Sequence, residues 1–150
     1  MTTIQIAERM NFSAVAPKVF KAVMALDAAA RQGIDPVLLE LVQIRASQIN
    51  RCAYCIDYHT TDARKAGEAE ERIYQLSAWE ESSLFTARER AALALTEAVT
   101  RLPEGVPDAV YNEAAAHFGE SELAQLIALI FTTNTWNRMN VTTRKTPGTL

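Results

Sequence analysis

Residues 40–59 read ELVQIRASQINRCAYCIDYH, and the reading of this stretch decides that of the whole chain. It holds both cysteines of the protein, one of its two histidines, and a glutamate set among aliphatic residues. The pattern is Glu40, eleven residues, then Cys-x-x-Cys-x-x-x-His, which supplies Cys52, Cys55 and His59. Residues 53–66 contain neither Pro nor Gly and support a helix that Gly67 can close. At about 100° per residue, Cys52, Cys55 and His59 then fall within roughly 60° of one another on one face. Cys55 and His59, one turn apart, become direct neighbours. Cys52 falls at or just before the first turn, where unpaired N–H groups and the macrodipole favour an anion. A helix start of this kind, like a nearby imidazolium, favours the nucleophilic thiolate over the thiol.

Glu40 lies in PVLLELVQI, where Leu38, Leu39, Leu41 and Val42 surround it and desolvate it. A carboxylate so placed can relay protons to or from His59. A helix break at Ile49–Arg51 would fold the two segments back on each other and could bring Glu40 to His59.

Outward from this stretch the chain reads as packing helices. Residues 1–13 read as an extended or loosely attached arm. From about Ala14, VAPKVFKAVMALDAAARQ places Val15, Val19, Val23 and Leu26 near helical spacing, with Phe20 and Met24 broadening the stripe, and Gly33 ends the helix. Asp35-Pro36 offers an N-cap followed by Pro at the first helical position, opening a helix over 36–49. A short helix over 70–76 leads to Ser77-Ala78-Trp79, and WEESSLF reads as a loop. Thr86-Ala87-Arg88-Glu89 is a capping box that opens a helix over 87–101. Pro107 starts the next helix, closed by Gly119, and Ser121 caps a last one, ELAQLIALIFTTNTWNRMN. Its first half is apolar nearly all round, which places it in a core or at a subunit interface. The tail VTTRKTPGTL reads as polar and mobile. The expected fold is therefore an all-α compact bundle of about six to seven helices.

Bulk properties narrow the classes of function. A chain of 150 residues is expected to form one domain, 1–150, with a real core. It is 49% hydrophobic with only five Gly and five Pro, a helical globular composition and not a disordered one. A net charge of −3 without a basic run speaks against nucleic acid as a partner. No apolar run is long enough to suggest a membrane span, and the N-terminus lacks a secretion signal pattern, so a cytoplasmic location is expected. In such a compartment two nearby cysteines suggest redox or metal chemistry over a structural staple.

Each marked residue also has a plainer reading. The cysteines could be inert core residues. They could also join His59 on zinc, but an obvious fourth ligand is lacking, since His117 is remote in sequence and Glu40 an unusual choice, so no metal is expected. Haem attachment is excluded because Ile56 follows Cys55. Glu40 could pair with Arg45 or Arg51 only structurally. His117 reads as a cap-like or surface residue; Trp79, Phe131 and Trp136 as packing; and RKAGEAEER (64–72) as a solvated face.

Glu-x11-Cys-x-x-Cys-x-x-x-His resembles the signature of the alkyl hydroperoxidase D (AhpD) family, within the carboxymuconolactone decarboxylase superfamily. All four motif positions match, and the similarity extends from about Ala16 to Leu102, including TARERAALALTEAV. One departure is Tyr54, where the best-studied members carry a further His. The resemblance implies an AhpD-like helical subunit, a homotrimer or homohexamer, and thiol-dependent reduction of a hydroperoxide substrate. Carried over by position, Cys55 would attack the peroxide, Cys52 would resolve, and Glu40 with His59 would relay protons. No nucleotide or flavin fingerprint is visible, so no cofactor is expected. Electrons would come from a dithiol, of the thioredoxin or lipoyl type. Two other readings stand beside this one: a decarboxylase-like lyase, and a non-enzymatic redox-sensing helical module.

Overall fold

The computed structural model describes residues 2–148. Among them are eight α-helices and no strand: α1 (Phe12–Val15), α2 (Pro17–Ala30), α3 (Pro36–Ile49), α4 (Ala53–Lys65), α5 (Glu70–Gln75), α6 (Ala87–Thr100), α7 (Asp108–His117) and α8 (Glu120–Thr143). The fold is all-α, as the sequence implies. The helix beyond the expected range is α1, a single turn split from α2 at Ala16 and capped by the Asn11 side chain.

α3 lies at the centre and packs against α4, α6 and α8. It is apolar on opposite faces and so serves two cores at once. Leu38, Leu39 and Val42 join Leu95, Leu126 and Leu129 in one cluster. Leu41 and Ile44 join Leu76, Trp79, Phe85 and Leu93 in the other. Burial of each such leucine contributes roughly 1.5–3 kcal/mol, and most of this helix is committed to it. Its start follows the sequence signal: Asp35 Oδ1 accepts from the N–H groups of Val37 and Leu38, each at 3.0 Å.

The end of α3 determines where the cysteines stand. Cys52 N–H bonds the Ser47 carbonyl at 3.0 Å and Arg51 N–H bonds that of Gln48 at 3.2 Å, the Schellman arrangement. This places Arg51 in the left-handed region, φ 57°. The same closure ends α8, where Lys145 N–H reaches Asn140 O at 2.9 Å and Arg144 takes φ 57°. At the end of α4 the equivalent position is Gly67, which adopts its φ of 92° without a Cβ penalty. An arginine there costs about 1 kcal/mol, so both turns are held by their surroundings.

Several sequence readings change. WEESSLF is not simply a loop: Leu76–Glu81 is a 3-10 turn whose Trp79 is buried and donates its indole N–H to Glu97 Oε1 at 2.9 Å. Arg45 Nε meets the same oxygen at 2.9 Å, so the glutamate unites three elements. The supposed solvated face 64–72 contains Arg72, which ion-pairs with Glu68 at 2.8 Å and Glu89 at 2.7 Å. Burial alone would raise the Glu89 carboxyl; the Arg72 guanidinium and Thr86 outweigh it and hold it below the ordinary carboxylate value. The expected capping box of Thr86 and Glu89 is formed in full. Pro107 is the N-cap of α7 and not its first residue, and Gly119, not Ser121, precedes α8.

The stripe expected along the helix from about Ala14 divides, since that helix is split into α1 and α2. Val15, on α1, stays exposed, as do Val19 and Leu26, whereas Phe20, edge-on to Trp136 of α8, and Val23 are half-buried. The N-terminal arm is exposed and non-helical over residues 2–11, but Arg9 N–H bonds Thr143 O at 2.8 Å. Of the tail read as mobile, residues 141–143 belong to α8 and 144–145 close it; residues 149–150 lie outside the described residues. No helix among the described residues is long and apolar enough to cross a membrane.

Candidate functional site

The Schellman turn delivers Cys52 directly to the N-cap of α4. Its backbone is extended (φ −90°, ψ 94°), and its Sγ accepts the Cys55 N–H at 3.3 Å, where a capping oxygen usually sits. The Cys52 and Cys55 sulfurs stand at disulfide distance, 2.09 Å. Both cysteines and His59 are buried. Because α4 folds back on α3, Glu40 Oε2 meets His59 Nδ1 at 3.1 Å. Glu40 thus pairs with His59, and Arg45, its alternative partner, is engaged by Glu97. The four sequence-marked residues converge on one place. His117 does not join them; it pairs with Glu113 near the end of α7.

One hydrogen bond to sulfur comes from far along the chain. Asn140 Nδ2, on α8, lies 3.5 Å from Cys55 Sγ. It continues a row of buried amides. Asn50 Nδ2 donates to Asn134 Oδ1 and Asn137 Oδ1, each at 2.9 Å, and Asn137 Nδ2 donates to Ser47 Oγ at 3.0 Å. The row ties the turn before Cys52 to α8, so the sulfur positions are fixed from two helices. Among the described residues no group of three His, Cys, Asp or Glu side chains is disposed to hold a metal ion.

A cavity of about 500 Å³ opens beside this cluster, between α2, α4 and α8. Of the two cysteines, Cys55 lines it, with His59 and Asn140 alongside. Aromatic side chains form much of the wall. Phe20 meets Trp136 edge-on, with centroids 5.5 Å apart, and Tyr58 meets the His59 ring edge-on at 5.3 Å. Trp136, read from sequence as packing, is a wall of this cavity and donates its indole N–H to Asp27 Oδ1 at 3.0 Å. Asp27 also binds Arg31 Nε at 2.7 Å, which pairs the charges on that side. Desolvation, reinforced by Asp62, raises the Tyr58 hydroxyl above its ordinary value.

Sequence reasoning missed Asn140, Trp136 and Lys145 as site residues. A signal for the first existed: Asn134, Asn137 and Asn140 recur every three residues, which puts three amides along one side of a helix.

Comparison with known proteins gives the chain its family. The model of the carboxymuconolactone decarboxylase family matches residues 17–98, which include all four marked residues. YdfG, an uncharacterised protein of Bacillus subtilis, is 40% identical over 137 residues, covering 90% of this chain and 93% of its own. A solved structure from Agrobacterium tumefaciens superposes with a TM-score of 0.90 at 38% identity, over 93% of this chain and 97% of that one. That protein is of unknown function and is described as a candidate antioxidant defence protein AhpD. The debrominase Bmp8 shares the fold at a TM-score of 0.79 but only 20% identity, over 87% of this chain and 71% of its own. Motif, helical architecture and relatives lead to one assignment: the chain is an AhpD-like member of the carboxymuconolactone decarboxylase family.

Proposed function

We propose that this protein reduces organic hydroperoxides with a thiol–disulfide couple. The observation that carries the reading is that Cys55 lines an organic-sized cavity while Cys52 stands at bonding distance beside it. In the reduced protein the Cys55 thiolate attacks the terminal peroxide oxygen; the O–O bond breaks and the departing alkoxide takes a proton to leave as an alcohol. Cys55 is then a sulfenic acid. The Cys52 thiol attacks that sulfur, forming the disulfide and releasing water. An external dithiol returns both cysteines to thiols by exchange and leaves as its own disulfide.

His59 is the acceptor for the Cys55 proton and the donor to the alkoxide. Glu40, bonded to Nδ1, orients the ring and leaves Nε2 for that exchange. Asn140 supplies a hydrogen bond to the sulfur anion. Tyr54, at the position where well-studied relatives carry a further His, lines the cavity here.

The test is direct. Reduced protein treated with one equivalent of cumene hydroperoxide should lose two thiols and about two hydrogens' mass, and should consume the peroxide catalytically when dithiothreitol is supplied. Both thiols surviving the treatment would refute the proposal. His59→Gln and Glu40→Gln should each slow the oxidation by roughly 10²–10⁴-fold.

A further inference from the structure

Two basic side chains, Arg31 and Lys145, line the cavity. On the α2 side Arg31 is neutralised by Asp27 at 2.7 Å. On the α8 side Lys145 also lines the cavity, with its ammonium 4.5 Å from the centre of the Tyr54 ring. Among the described residues no carboxylate forms an ion pair with it at 4.0 Å or less. Its position is not that of a loose tail. The left-handed Arg144 turns the chain at the end of α8, and the Lys145 N–H is bonded to the carbonyl of Asn140, the residue whose side chain reaches Cys55. One helix end thus carries both a contact to the reacting sulfur and a cation that, among the described residues, has no ion-pair partner within 4.0 Å. The lining also includes the apolar side chains of Phe20, Met24 and Trp136.

A pocket of this size accepts a whole small organic molecule, and a few placed polar groups fix its orientation. We infer that the substrate is an amphipathic hydroperoxide that carries a carboxylate: its apolar body lies against Phe20, Met24 and Trp136, its anionic end pairs with Lys145, and its peroxide faces Cys55. This deepens the peroxidase reading and rests on it. The ring of Tyr54 holds the ammonium in place without neutralising it, so the charge is available to a ligand. A lysine beyond a helix C-terminus also has a purely structural use, offsetting the helix dipole. The two roles differ in what the lysine does to ligand choice.

Two measurements separate the inference from the reading beneath it. The first needs no turnover: 4-isopropylbenzoate and its uncharged amide are titrated into the disulfide form, following tryptophan fluorescence. The carboxylate should bind at least about fivefold more tightly than the amide. Lys145→Gln should abolish that preference and Lys145→Arg should retain it. The second compares kcat/KM for cumene hydroperoxide with that for its 4-carboxy derivative, dithiothreitol serving as reductant. The ratio should favour the carboxylate and fall toward one in Lys145→Gln. Equal binding of the two probes, or a ratio that Lys145→Gln leaves unchanged, overturns the inference while turnover of cumene hydroperoxide still upholds the peroxidase reading. Lys145-dependent carboxylate binding without consumption of either hydroperoxide upholds the anion subsite and overturns the hydroperoxide as substrate.

Discussion

Replacing Asn140 by leucine tests whether the contact from α8 governs the reactivity of Cys55. The two side chains are close in size, so the change removes an N–H donor without opening a large cavity. Asn140 Nδ2 stands 3.5 Å from Cys55 Sγ, and both residues are largely buried, open only to the cavity they line. Hydrogen bonds to charged groups contribute about 1.5–3 kcal/mol. A long bond to a diffuse sulfur anion belongs at the lower end. At about 1.4 kcal/mol per tenfold, its loss moves the ionisation of the sulfur by about one pH unit. The assay is alkylation of reduced protein by iodoacetamide across pH 5–10, in a Cys52→Ser background so that Cys55 alone reacts. Asn140→Leu should slow alkylation near neutrality by about tenfold and regain the parent rate roughly one pH unit higher. A uniform loss of rate at every pH would mean that the leucine merely obstructs the sulfur. An unchanged profile would show that Asn140 does not stabilise the anion.

Other expectations rest on the same geometry. Cys52→Ser should retain a peroxide-dependent sulfenic acid on Cys55, trappable by dimedone, while turnover stops; Cys55→Ser should lose the first oxidation. A dimedone label on Cys52 in Cys55→Ser, with none on Cys55 in Cys52→Ser, would reverse the assigned order. The Glu89 carboxyl is held below its unfolded value, so its stabilisation is complete above the unfolded value, near pH 4.5, and is lost as pH falls through the native one. Glu89→Gln should lower stability to urea at pH 7, by about 1.5–3 kcal/mol for weakened hydrogen bonds to the Arg72 cation, and flatten the acid side of the stability curve; an unaltered acid limb would contradict this. Association is expected too, since α1 and α2 leave Val15 and Val19 exposed, at 67% and 53%. Sedimentation at micromolar concentration should give a mass above the 16.6 kDa of a single chain.

Much of the architecture was legible because it is written in local chemistry. Asp35-Pro36, the Thr86–Glu89 box and Gly67 mark helix ends through atoms within a few residues, and the structure uses each of them. The approach of Glu40 to His59 was legible for a related reason: a break of a few residues between two helices forces neighbouring faces together. What was obscured depends on partners distant in sequence. Asn140 meets Cys55 across 85 residues. Trp79 is drawn into a helical turn by Glu97, amid an acidic run whose composition suggests solvent. In the stripe along α1 and α2, spacing located an apolar surface but could not say which part would face α8. Valines at 15 and 19 fit a helical period as well as Phe20 does, yet only packing against Trp136 selects the latter.

The arginine turn after α3 also makes chain length a chemical quantity. Surface loops usually accept an added residue at little cost, because closure entropy rises slowly with length. Here the Cys52 N–H is fastened to Ser47 O, and Cys52 is itself the first cap of α4. An inserted residue would turn α4 by about 100° relative to α3 or break the cap. Cys55 and His59 would swing out of line with Asn140 and Glu40 together, although every side chain remained present. The eleven residues between Glu40 and Cys52 are a ruler, and a single insertion there should silence the site while leaving a folded helical protein.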